Sequence, residues 1–316
     1  MKKVLSFVLF LVISLSSVFM LACAKESDKV KVMVPNGITL IAWGGLYDNR
    51  DVEIDNVNGP DLLSTAFASS SHDIIVAPLN LGAKLYNNSN TKYKLDSMIT
   101  FGNLFIVSKD KVSLDDKLQD LKGKKLIAFG RNATPDIILQ AALNSKDITD
   151  CEIEYQSGVS EVVALFKGED SEYDYALVAE PVLSQLKNMG LDLNIVDLQE
   201  VLQYDSDMES IPQAGVFINP ESKRIDKINE ALQELKNNIE YLKANPQDYA
   251  QDIIKHHEYF KNITSEVIAS AIQSGDIIDY KKAKDNKPVL EAYFQLLIDQ
   301  NKNLLGAQPS DDFYYY

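Results

Sequence analysis

Asp73-Ile74-Ile75-Val76-Ala77-Pro78-Leu79-Asn80-Leu81-Gly82-Ala83-Lys84-Leu85-Tyr86 contains a strand, a stop and the opening of a helix. After Asp73 the run to Ala77 is continuously apolar, as expected of a strand covered on both faces. Pro78 cannot donate to a ladder and ends it. Leu79 to Tyr86 then opens a helix. The same unit recurs on both sides. Strands are expected over 30–34, 52–57, 104–108, 125–129, 151–156, 175–179 and 193–196. Helices are expected over 38–47, 60–69, 114–121, 135–143, 159–166 and 180–188, with Pro60 near a first helical position and Gly123 as a stop. Alternating strands and helices predict an α/β fold with a largely parallel sheet and helices on both faces.

Beyond Glu221 the pattern turns helical. Ile225, Ile228, Leu232, Leu235, Ile239 and Leu242 follow a 3.6-residue spacing and predict an amphipathic helix. Further helices are expected over 249–257, 265–273 and 289–305. The tail Asp311-Asp312-Phe313-Tyr314-Tyr315-Tyr316 has no periodicity and is left unassigned.

The other end carries a different kind of signal. Lys2 and Lys3 precede an apolar run from Val4 to Met20 that ends at Leu21-Ala22-Cys23-Ala24. A positive flank, a short apolar core and small residues make a secretory signal. An uncleaved anchor helix is the weaker reading, because the run is short for a span of about 20 residues. Residues 23–29 then form a polar tether. A formal charge of −15 with no basic stripe argues against nucleic acid and anionic membrane surfaces as partners. Of the two cysteines, Cys151 has no histidine near it in sequence and reads as a small apolar side chain at a strand start. His72, His256 and His257 lack the spacing of a zinc site. Trp43 reads as core.

In open α/β sheets ligands bind beyond the carboxyl ends of strands, where amides at helix starts point outward. Candidate junctions are Pro35-Asn36-Gly37-Ile38-Thr39, Pro78-Leu79-Asn80, Gly130-Arg131-Asn132-Ala133-Thr134-Pro135 and Ala179-Glu180-Pro181. Taken singly, each reads first as plain helix capping; four in one fold shift the weight toward a site. With Lys31 to Leu40, Gly59-Pro60-Asp61, Phe101-Gly102-Asn103-Leu104, Leu121 to Gly130, Tyr175 to Val182 and Ile211 to Phe217, they form an ordered set. That set, with Leu21-Ala22-Cys23 as a lipobox, resembles the bacterial ABC-transporter solute-binding proteins of the nitrate/sulfonate/bicarbonate or thiamine-pyrimidine type.

The resemblance implies a two-lobe periplasmic-binding-protein fold of type II, with a ligand cleft between the lobes and a helical C-terminal part. It places lobe 1 at 30–103 and 215–316 and lobe 2 at 104–214, with crossings at Thr100 to Asn103 and Gln213 to Gly215. It implies a signal peptide over 1–22 and a lipidated Cys23 that tethers an exported monomer to the cell membrane. The partners implied are a small-molecule ligand, an ABC permease and its ATPase, with no cofactor or metal. The ligand-binding residues expected are Asn36, Gly37, Thr39, Pro78, Asn80, Phe101, Gly102, Arg131, Asn132, Thr134, Glu180 and Gln213. Phe101 would stack on a flat ligand, Arg131 would either face the cleft and meet an anionic group or point outward to surface carboxylates, and Glu180 would accept from amino groups. Arg131 departs from the family pattern, as does Ser70-Ser71-His72, which is expected to alter only a surface turn. Two other readings stay open: an enzyme of the pyrimidine-synthase branch, for which no nucleophile–base pair is visible, and a surface adhesin or structural lipoprotein. The cargo expected is an anion such as a sulfonate, nitrate or carboxylate, or a pyrimidine- or thiamine-related ring.

Overall fold

Two sheets are built on one plan, and each is completed by an antiparallel strand that the chain enters directly from the other sheet. The computed structural model describes residues 28–316 except 90, 110, 116, 169, 170 and 206–209. The expected leader and Cys23 lie outside the described residues. Strands β1 (Val30–Pro35), β2 (Val52–Val57) and β3 (Ile74–Pro78) run parallel, linked by α1 (Ile38–Trp43) and α2 (Pro60–Ser69). Helix α3 (Leu79–Asn87) leads to β4 (Lys94–Phe101), and the chain crosses through 102–104 into β5 (Phe105–Lys109). There β6 (Lys125–Phe129), β7 (Glu152–Gln156) and β8 (Tyr175–Val178) form a second parallel set, with α4 (Thr134–Ser145) and α5 (Val159–Phe166) between them.

Helix α6 (Val182–Asn188), β9 (Leu193–Asp197) and α7 (Leu198–Asp205) lead back to β10 (Pro212–Ile218). The remainder is α8 (Ile225–Ala244), α9 (Pro246–Ile253), α10 (Glu258–Lys261), α11 (Ser265–Ile272), β11 (Ile278–Lys282) and α12 (Lys287–Gln300). The first sheet has the order β11-β4-β10-β3-β1-β2 and the second β7-β6-β8-β5-β9. In each, the visiting strand lies antiparallel to its neighbours: β10 between β3 and β4, and β5 between β8 and β9.

The core follows strand alternation. Ile74 and Val76 of β3 face one apolar cluster, while Ile75 and Ala77 face the other. Phe105 and Val107 of β5 join the first cluster and Ile106 the second, so both clusters run through both sheets. Trp43 is fully buried, as its place in an apolar helix suggests.

Several elements depart from the sequence expectation. The helix expected over 114–121 is only a 3-10 turn at Gln119–Leu121. Asp115 Oδ1 takes the Lys117 amide at 3.1 Å, and Leu118 turns to φ 57 with its side chain buried, so local bonding displaces the helix. Strands β4 and β11 were not expected, because they carry charge. Asp96, in the middle of β4, is fully buried and accepts from Lys282 Nζ at 2.7 Å and Tyr280 Oη at 3.0 Å on β11. His72 is buried too: Nε2 meets Asp55 Oδ2 at 3.0 Å, Nδ1 meets Ser71 Oγ at 2.7 Å, and its carbonyl accepts from Tyr93. Ser70 and Ser71 do turn at the surface, and His72 behind them is a buried anchor that the sequence did not mark. Cys151 sits just before β7, half-buried, and burial followed by the Asp150 charge pushes its thiol up to about 11. The unassigned tail is structural: Phe313 and Tyr314 are fully buried, and Tyr314 bridges to Leu95 of β4.

Candidate ligand cleft

The carboxyl ends of β1, β2 and β3 and those of β6, β7 and β8 open onto the same cleft, a space of ≈ 700 Å³. Its floor is the crossing itself, with Thr100 of β4, Asn103 and Leu104 of the first link and Gln213 and Ala214 of β10. The Thr100 hydroxyl accepts from the Ala214 amide at 3.1 Å, tying the two crossing strands together under the cleft.

Each junction is locally stiffened. At the end of β1, Thr39 Oγ1 donates to the Pro35 carbonyl at 2.7 Å, and Gly37 takes φ 107, where a Cβ would be strained. Asn36 is held between neighbours: Asn56 Nδ2 donates to its Oδ1 at 2.7 Å, and its own Nδ2 donates to Asn58 Oδ1 at 2.5 Å. At the end of β8, Glu180 is 3% exposed. Its carboxylate accepts from the Ser184 amide and hydroxyl, both at 3.0 Å, and so caps α6. Asn103 Oδ1 accepts from the Glu180 amide at 2.7 Å, coupling this junction to the first crossing.

Seven of the expected residues meet here: Asn36, Gly37, Thr39, Pro78, Thr134, Glu180 and Gln213 all line the cleft. The other five stand apart from the lining. Asn80 lies next to it, its Oδ1 accepting from the Thr134 hydroxyl at 2.9 Å. Gly102 is spent on the crossing, its amide donating to the Ile211 carbonyl at 2.9 Å. Phe101 is 2% exposed, with Lys281 Nζ 4.8 Å from its ring centre, so its face meets an ammonium group where a stacked ligand was expected. Arg131 is exposed and lies over the Tyr155 ring at 5.5 Å. The neighbouring Asn132 is exposed at φ 60, with its amide donating to Asp136 Oδ2 at 2.7 Å.

The structure also adds residues. Ser157 and Ser160 flank the start of α5, a strand–helix junction of the same kind as the four singled out. Phe129, at the end of β6, and Tyr259, on α10, bring one aromatic ring each. Burial pushes the Tyr259 hydroxyl up to about 12, against the opposing pull of a hydrogen bond with the Gly37 backbone. Nothing in the sequence near Tyr259, Asn262 or Ile263 marks them, because they reach the cleft from the C-terminal helices. Among the described residues lining the cleft, Glu180 is the only carboxylate, and none is lysine, arginine or histidine.

Neither a protein-family model nor a curated protein matches the sequence. Solved structures do match the fold. An ABC transporter protein from Parabacteroides distasonis is similar with a TM-score of 0.75 and 23% identity, over 92% of this chain and 99% of that one. The periplasmic aliphatic sulphonate-binding protein of Escherichia coli gives a TM-score of 0.68 at 12% identity, over 90% and 93%. The ligand-binding component of an ABC-type import system from Staphylococcus aureus gives 0.66 at 14%, over 91% and 96%. The fold is therefore the two-lobe periplasmic-binding-protein fold of type II.

Proposed function

We propose that the chain is the solute-binding lipoprotein of an ABC importer. It captures a small molecule between lobe 1 (30–103 and 215–316) and lobe 2 (104–214) and delivers it to a permease driven by a separate ATPase. The observation that carries this reading is the cleft of ≈ 700 Å³ onto which the strand ends of both sheets converge. That volume lies within the range that encloses one small solute. Hydroxyls and amides dominate its polar lining, as suits binding and release without chemistry. Closing the lobes would exclude water and create the surface that a permease reads. Export and tethering rest on Leu21-Ala22-Cys23, with two or more acyl chains at about 0.8 kcal/mol per buried CH₂ making a lasting anchor.

Native mass spectrometry of the purified protein tests the binding role: a retained small molecule supports it, whereas turnover of that molecule or a protein that retains nothing would count against it. Cys23→Ser tests the tether. The variant is expected to be released or left as uncut precursor, and a processed form still in the membrane fraction would refute the lipobox.

A further inference from the structure

The polarity of the cleft restricts its cargo. Resting on the solute-binding reading, we infer that the cargo is a neutral or cationic nitrogen compound bearing amino donors and ring or carbonyl acceptors, and not an oxyanion.

An anion enclosed by protein needs either a cationic side chain or the free amide end of a helix. The described lining supplies no cationic side chain. The helices of the second sheet that begin at the cleft each have a carboxylate at their start. Asp136 takes the Asn132 amide at 2.7 Å before α4. Glu161 takes the Ser157 amide at 3.1 Å and its hydroxyl at 2.7 Å before α5. Glu180 takes the Ser184 amide and hydroxyl in the first turn of α6. Three helix starts therefore carry three internal carboxylates, whose negative charge opposes that of an incoming anion. In the first sheet α2 has Asp61 in its first turn, α1 is only six residues long, and the α3 junction reaches the cleft through Pro78, which has no N–H to offer. A net charge of −15 adds a field that repels anions over longer range.

The same groups suit a nitrogen compound. A carboxylate oxygen has two lone pairs, so each Glu180 oxygen keeps acceptor capacity after its bond to Ser184. Gln213 Nε2, on the cleft floor, is buried with no partner among the described residues and needs an acceptor. Gln185 and Asn262 add amides that both donate and accept, and Phe129 of β6 and Tyr259 of α10 add apolar faces.

The test incubates ligand-stripped protein with a deproteinised extract of bacterial cells and identifies the retained solute by mass spectrometry. The expected result is an uncharged or cationic amino compound whose affinity falls about tenfold or more in Glu180→Gln, a variant that keeps an acceptor for Ser184. Gln213→Leu, off the helix caps, should weaken binding by a similar factor and serves if Glu180→Gln does not fold. A retained sulfonate, nitrate or carboxylate, or affinity unchanged in a folded variant, would overturn the inference while leaving the solute-binding reading intact. Retention of nothing would overturn both.

Discussion

The Thr134 hydroxyl, on the first turn of α4 in the second sheet's half, donates to Asn80 Oδ1 on α3 in the first at 2.9 Å. It spans the cleft between elements that reach it from opposite sides. Ser184 Oγ and Ser270 Oγ, 3.1 Å apart, join α6 to α11, and Asn144 Nδ2 donates to Gln300 Oε1 at 3.1 Å between α4 and α12. The two halves are thus latched by neutral hydrogen bonds, each worth roughly 0.5–1.5 kcal/mol net. Bonds of that strength would hold a closed state and still let it open.

Removing the latch should therefore shift a population without unfolding the protein. Thr134→Ala or Asn80→Ala is expected to raise the radius of gyration of the ligand-free protein in small-angle scattering, and Thr134→Ser to restore it. Each alanine variant should shift the open-to-closed ratio by up to about tenfold, and the double variant by no more than either single one. Scattering curves identical to wild type in all three would mean that the bond contributes nothing to closure.

The first crossing makes a harder demand. Gly102 has φ 50, and a Cβ there would lie 2.3 Å from Gln199 Cδ. Gln199 cannot simply move away, because its Oε1 accepts from the Ile211 amide at 3.0 Å, while Ile211 accepts from Gly102. Gly102→Ala should cost about 1–3 kcal/mol of stability in urea denaturation. Adding Gln199→Ala to it should cost less than the two single effects summed, because the clash is removed with the side chain. Simple additivity would show that the two residues are not coupled.

Asp197 gives a pH signature. Burial is the main cause that raises its carboxyl to about 6, with the Gln199 amide pulling the other way and the Glu200 charge adding to the rise. A folded value above the unfolded one means that the native state binds the proton more tightly. The associated stability is full below the unfolded value near 4 and is lost as pH rises through 6. Asp197→Asn, which can still accept from Gln199, should be more stable than wild type at pH 7, by up to about 2 kcal/mol, and no more stable at pH 4. Thermal unfolding at the two pH values checks this, and an equal difference at both would exclude Asp197 as the source.

The order of strands and helices was legible because strands covered on both faces read as apolar runs and their helices start at Pro, Asn or Gly. Strand β4 was not legible: Lys94-Leu95-Asp96-Ser97 places a charge and a hydroxyl in a strand that is buried only because β11 and the tail cover it. The cleft was half legible for the same reason. Junctions after parallel strands can be read locally, so Asn36, Thr134 and Glu180 emerge from spacing. Tyr259 and Asn262 arrive by tertiary packing, which no local pattern records. The direction of a loop side chain is equally silent, and Phe101 and Arg131 are the examples.

Arg131 supplies the last test. Its guanidinium lies 5.5 Å over the Tyr155 ring, and the Tyr155 hydroxyl donates to the Asp136 carboxylate, so the arginine closes an outward-facing chain of contacts. Burial, and then that bond to Asp136, pushes the Tyr155 hydroxyl up to about 12, while the nearby guanidinium acts in the opposite direction. An exposed cation–π contact contributes about 0.5–1 kcal/mol. Arg131→Ala should cost that much stability and leave solute affinity within titration error, with any change confined to the association rate and its salt dependence. The structure places the side chain over Tyr155 and off the lining, so a large affinity loss would require the loop to swing inward on closure. Calorimetry on Arg131→Ala beside Tyr155→Phe separates the two outcomes, because the tyrosine variant keeps the ring under the guanidinium and removes only the hydroxyl.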